Sequence, residues 1–73
     1  MNIVGENVRT IREQNGWTQE QLTAKCNLLE WNISRGTLAK IESKVRRVTD
    51  IEVKLLAEAL ETNIGSLFLS AEN

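Results

Sequence analysis

The sequence predicts an all-α domain built from five short helices. Three observations lead there. Apolar residues recur at intervals of three and four in separate stretches, the spacing of a single helix face. Most of those stretches open on Thr, Ser or Asn, residues whose side chains satisfy the free N–H groups of a helix start. No run alternates apolar with polar residues as a half-buried strand does, and the chain contains no proline.

Helix 1 is expected from about Val4 to Gln14, because Val4, Val8 and Ile11 form one apolar stripe. Asn15-Gly16 stops it, since both residues tolerate the left-handed backbone that closes a helix. Helix 2 starts at Thr18, whose capping box is completed by Gln21 three residues on. Trp17 stands just before that cap, placed to staple onto the first turn. Leu22, Cys26 and Leu29 continue the buried face, and the helix is expected to end between Asn27 and Glu30. Glu30 to Ile33 form a connection in which Trp31 and Ile33 are apolar and should pack inward. Helix 3 runs from its cap, Ser34, to about Ser43, with Leu38 and Ile41 facing the core and Arg35, Gly36, Thr37, Lys40 and Lys44 facing away.

Helix 4 begins at Thr49 with a second capping box, closed by Glu52, and Asp50 adds favourable negative charge to the first turn. Its inner face is expected to comprise Ile51, Leu55, Ala59 and Leu60, widened by Val53 and Leu56. That breadth predicts a central helix. A fifth helix, capped by Asn63, is expected over about Ile64 to Leu69. The ordered core should span about 3–69 of a single domain, 1–73, with Ser70 to Asn73 frayed.

Seventy-three residues make one domain with a small core, since a chain of this size buries only about 60% of its unfolded surface. No apolar run approaches the roughly 18 residues of a membrane span. The N-terminus lacks the basic and apolar pattern of a secretory signal. Together these predict a soluble, cytoplasmic chain without a membrane partner. The net charge is −1, but it is unevenly spread. From Arg35 to Arg47 there are five basic residues (Arg35, Lys40, Lys44, Arg46, Arg47) against one acid, Glu42. That segment carries +4, which leaves −5 for the remainder. A basic stripe on an acidic body is the electrostatic footprint of a nucleic-acid reader.

Catalysis finds no residues to carry it. There is no histidine and no tyrosine, and the single cysteine has no base to activate it. One Cys and no His cannot share a metal ion, and glycine-rich phosphate loops are absent. Glu58 and Glu61 read as a solvated face rather than an acid pair. The expectation is therefore no enzyme, no cofactor and no small-molecule ligand. Cys26 reads as core packing rather than redox chemistry.

Gly16-Trp17-Thr18-Gln19-Glu20-Gln21-Leu22-Thr23, then Ile33-Ser34-Arg35-Gly36-Thr37-Leu38-Ala39-Lys40-Ile41-Glu42, then Ala57-Glu58-Ala59-Leu60 together resemble the Cro/CI-type XRE family of helix-turn-helix regulators. The resemblance covers the chain from about Val4 to Phe68. It implies a lambda-repressor-like five-helix domain that binds operator DNA, commonly as a homodimer on a palindrome. Helices 2 and 3 would form the helix-turn-helix, with helix 3 in the major groove.

The resemblance also implies roles for residues. Gln19 matches the glutamine that bonds the DNA backbone and braces the recognition helix. Arg35 and Gly36 match the first positions of that helix, and Thr37 and Lys40 match further groove-facing positions. Arginine suits guanine, whose O6 and N7 its planar fork spans. Gly36 has no side chain to read with; it either permits close approach to the groove or weakens the first turn. Ser43, Lys44, Arg46 and Arg47 match the loop that meets phosphates. Glu42 matches a structural glutamate that pairs with an arginine of helix 1, here Arg12.

The sequence departs from the family pattern in two places. About five extra residues, Leu28 to Asn32, lie between helices 2 and 3, and are expected to lengthen helix 2 by about one turn with Trp31 sealing the joint. Lys44 stands where the family often has glycine; a positive φ there would cost lysine about 1 kcal/mol. The terminal cluster of Ile64, Leu67, Phe68 and Leu69 exceeds what one short helix hides. Leu67 is expected to complete the core and Phe68 and Leu69 to form a dimer interface. The reading that follows is a DNA-binding regulator, a repressor or autoregulator. The competing one is a protein-interaction module or antitoxin-like adaptor that retains the fold without specific DNA binding.

Overall fold

In the computed structural model, which describes residues 3–69, four α-helices and one 3-10 turn follow in order. They are α1 (Gly5–Gln14), α2 (Gln19–Leu28), α3 (Arg35–Glu42), α4 (Asp50–Ala59) and η1 (Ile64–Phe68). No strand occurs among the described residues. The fraying expected of Ser70 to Asn73 concerns residues outside that range.

The starts of α2, α3, α4 and η1 are fixed by side-chain caps, and that of α1 is not. Thr18 and Thr49 each accept from the backbone N–H three residues on, while Gln21 and Glu52 return the bond to the cap's own N–H. Ser34 accepts from Thr37 N, and Asn63 accepts from Ser66 N. The four α-helices also end alike. The residue after each C-cap is left-handed: Gly16 (φ 75°), Glu30 (65°), Lys44 (69°) and Glu61 (59°). The next N–H then reaches back to the third-last helical carbonyl, in Trp17→Arg12, Trp31→Cys26, Val45→Lys40 and Thr62→Ala57. This is the Schellman closure, which satisfies carbonyls the helix leaves open. Three of the four left-handed positions carry a side chain and its backbone cost.

The core joins Val4 and Val8 of the α1 region, Leu22 and Cys26 of α2, Leu38 and Ile41 of α3, Val53, Leu56, Ala57, Ala59 and Leu60 from α4 and its cap, and Leu67 of η1. Ile11, Trp17, Leu29, Trp31, Ile33 and Val48 pack around it, half-buried. Helix α1 lies against α3 and η1, α2 against α3 and α4, and α4 also against η1. Burial pushes the Cys26 thiol up to about 11, so it stays neutral and acts as an apolar filler.

Three expectations are corrected. The fifth helix is a single 3-10 turn, so the fold has four α-helices rather than five. Asn63 accepts from both Ser66 N and Ser66 Oγ through its side-chain Oδ1, and Gly65 weakens any α-helix started there. Five residues held by a three-residue-spaced bond stay 3-10. Ile51 does not face inward; it is 73% exposed. The buried residues of α4 and its cap are Val53, Leu56, Ala57, Ala59 and Leu60, so Ala59 and Leu60 face inward as expected while Ile51 lies out of phase with Val53 and Leu56. The extra residues do not lengthen α2 by a turn. Leu28 is the last helical residue, 82% exposed, and Leu29 to Asn32 enter the connection. That connection is held by Asn27, whose amide donates to the carbonyls of Trp31 (2.9 Å) and Ile33 (3.3 Å).

Candidate nucleic-acid interface

Helix α3 is seated by its inner face and leaves its outer face open. Leu38 and Ile41 are fully buried, whereas Arg35, Gly36 and Lys40 are exposed and Thr37 is half-buried. Its first turn has room at Gly36: among the described residues, a Cβ built there would meet Ser34 Oγ at 3.7 Å as its nearest neighbour from outside the helix backbone and adjacent residues. Gly36 is therefore not required by the packing of the chain itself.

Beneath α3 lies an ion pair. Arg12 of α1 donates through Nε to Glu42 Oε2 (2.7 Å), through Nη2 to Glu42 Oε1 (3.1 Å) and through Nη1 to the Trp17 carbonyl (2.6 Å). Both residues are buried, and the carboxylate bond holds the Arg12 guanidinium above its ordinary range. The pair fastens the end of α3 to α1, and the third bond fastens the turn that precedes α2. Removing one partner would strand a buried charge, which costs about 3–5 kcal/mol.

Gln19, first in α2, extends this network to the outer face. Its Nε2 donates to Glu42 Oε1 (3.0 Å), which fixes the amide so that its oxygen points the other way. Arg35 Nη1 donates to that oxygen (3.2 Å). The buried carboxylate thus sets the orientation of an amide that in turn holds the guanidinium of Arg35. Gln19 keeps a second amide hydrogen. No sequence signal announced the link, because Gln19 and Arg35 sit on different helices, sixteen residues apart.

The loop after α3 is braced differently from what the run of basic residues suggested. Arg46 makes a two-pronged bond to Glu52, Nη1 to Oε1 (2.9 Å) and Nη2 to Oε2 (2.8 Å), and also donates to the Arg47 carbonyl. Glu52 simultaneously accepts from Thr49 N. The Arg46 bond holds the Glu52 carboxyl below its ordinary value of 4.5. Glu52 was legible as a cap residue; its second role as the anchor of Arg46 was not.

These pairings decide the charge of the face. Glu42 is neutralised by Arg12 and Arg46 by Glu52, both partners lying outside the segment from Arg35 to Arg47. Arg35, Lys40, Lys44 and Arg47 are exposed and form no ion pair among the described residues. Four cations without counterions therefore cover the outer face of α3 and its loop. Of the cations elsewhere, Arg9 meets Glu13, Lys25 bridges Glu61 and the face of Trp17 (4.3 Å to the ring centre), and Lys54 of α4 is exposed without an ion pair among the described residues.

A capped helix, an extended turn and a second helix with an open cationic outer face define a helix-turn-helix domain. Residues 8–67 match the helix-turn-helix family, and the chain belongs to its XRE branch. It is similar to the competence pilus inhibition repressor of Acinetobacter baylyi, 31% identical over 70 residues, a match covering 96% of this chain and 59% of that protein. The chain thus spans about three fifths of the length of that curated relative. No solved structure matches it. No helix among the described residues is long and apolar enough to cross a membrane.

Proposed function

We propose that the chain binds double-stranded operator DNA in a sequence-specific manner, with α3 in the major groove, and regulates transcription. The observation that carries this reading is the set of four cations without counterions, Arg35, Lys40, Lys44 and Arg47, on α3 and its loop. A duplex offers one phosphate charge per ~1.7 Å to meet them.

In this reading Arg35 addresses guanine through O6 and N7, aimed by Gln19. Thr37 and Lys40 address the following bases, and Gly36 lets the first turn approach the groove closely. Gln19 (through its second amide hydrogen), Ser43, Lys44 and Arg47 meet phosphates. Arg46, expected from sequence to do the same, is instead assigned to shaping the loop, since Glu52 occupies its guanidinium. Repression by excluding polymerase is the simplest outcome, and the similarity to a repressor favours it.

The chain would act as a homodimer. Ile64, Phe68 and Leu69 remain 46%, 49% and 59% exposed around η1, while Leu67 is fully buried. A two-fold contact through that apolar surface would set two α3 helices one DNA turn apart, about 34 Å. Selection of bound duplexes from a random pool tests all of this. The expected result is a palindrome with half-sites about ten base pairs apart. Recovery of no preferred sequence would refute specific binding, and the absence of any salt-dependent binding would leave the interaction-module reading.

A further inference from the structure

A cleft opens beside the Arg12–Glu42 pair. Arg9, Arg12, Gln19, Ala39, Glu42 and Ser43 enclose an open depression of about 280 Å³ between α1, α2 and α3. That is several water volumes, at about 30 Å³ each. Its floor is the Arg12–Glu42 pair, electrically neutral. Its rim offers the second amide hydrogen of Gln19 and the hydroxyl of Ser43, whose bond to the Lys40 carbonyl is long, 3.3 Å. Arg9 lines the same cleft, and Glu13 balances its charge (3.3 Å from Arg9 Nε and 4.0 Å from Arg12 Nη2), so the surroundings of the cleft are neutral.

Arg9 is restrained weakly. Its partner is Glu13, one turn along the same helix at 3.3 Å, and the two side chains are 62% and 56% exposed. Pairs of that kind are worth about 0–1 kcal/mol, and salt screens them further. A phosphate entering the cleft offers the guanidinium a stronger, two-pronged partner. We propose that Arg9 contacts a backbone phosphate of the bound duplex, which brings α1 into the interface and closes the cleft over that phosphate. The inference rests on the DNA-binding reading, since it assigns one more contact to the same face.

The test uses the whole chain and random-sequence duplex DNA, with affinity measured across a salt series. Arg9→Gln is compared with the parent and with Lys25→Gln, which removes the same charge on the α2–α4 side. Each phosphate contact contributes a slope of about −0.9 in log affinity against log salt. Arg9→Gln should therefore flatten the slope by about 0.9. Equivalently, the parent's advantage over the variant should shrink about 3.5-fold between about 50 and about 200 mM salt. Lys25→Gln should keep the parental slope. A parent that binds with an Arg9→Gln slope equal to its own, or to that of Lys25→Gln, overturns the assignment of Arg9 while leaving the DNA reading intact. A parent without salt-dependent binding overturns both.

Discussion

Glu30→Gly isolates the cost of closing a helix with the wrong residue. Glu30 holds φ at 65° so that Trp31 N can reach the Cys26 carbonyl. A side chain in the left-handed region costs about 1–2 kcal/mol relative to glycine. Glycine returns about 0.4–1 kcal/mol of that through the greater freedom of the unfolded chain. The Glu30 side chain is exposed and has no hydrogen bond or ion pair among the described residues, so nothing else is lost. Its negative charge also sits at the end of α2 where the helix dipole disfavours it, adding a few tenths. The net expectation is a gain of about 0.5–1 kcal/mol. For a domain of this size that raises the melting midpoint by about 2–8 °C. Circular dichroism melts of parent and variant read it directly. Gly16→Ala provides the opposite sign at the matching position of α1, where an added Cβ meets no atom and backbone strain alone acts. A Glu30→Gly midpoint at or below the parent's would refute the assignment of strain to these closures.

Gly36→Ala should stabilise the free chain by about 0.5–1 kcal/mol, since the site has room and alanine is the better helix former. If Gly36 serves close approach to DNA, the same variant should bind operator more weakly; tighter or equal binding in a gel-shift titration would rule out close approach and leave Gly36 as a weak first turn. Arg35→Ala should relax preference at one base-pair position per half-site, at a cost of about 1–3 kcal/mol, and leave the melting midpoint near the parent's; an unchanged preference in duplex selection would remove Arg35 from the readers. For Glu52 the folded carboxyl lies below its ordinary value of 4.5. Its bond to Arg46 thus contributes stability that is fully present above pH 4.5 and is lost as pH falls through the lower folded value. Urea midpoints of parent and Arg46→Gln should therefore differ at pH 7 and converge in acid; a difference independent of pH would show that the pair does not couple to folding.

Local chemistry explains which parts of the fold were legible beforehand. The starts at Thr18, Ser34 and Thr49 follow from a side chain and a backbone N–H three residues away, and each cap stands in the structure. The stop at Asn15-Gly16 follows from glycine's access to positive φ. The closures at Glu30 and Glu61 gave no such signal, because a glutamate is driven left-handed by packing and by the carbonyl it must satisfy. The direction of α4 was legible while its phase was not. Ile51 and Val53 are both apolar, and only contact with α2 and η1 decides which of them is covered.

The face itself divides the same way. Residue type and order along one helix determined that Leu38 and Ile41 face inward on α3 while Arg35 and Lys40 do not, since a helix projects its side chains at a fixed angular step; Lys44, past the C-cap, lies outside that rule. Charge, by contrast, acts through space. Whether Arg46 is available or held by Glu52, whether Gln19 points its oxygen at Arg35, and whether Arg9 shares a cleft with Ser43 all depend on where separate helices come to rest. Periodicity and capping are properties of neighbouring residues, so the sequence alone determines them. Pairing of charges depends on distances of a few ångströms between remote residues, which packing of α1, α2, α3 and the loop against one core decides.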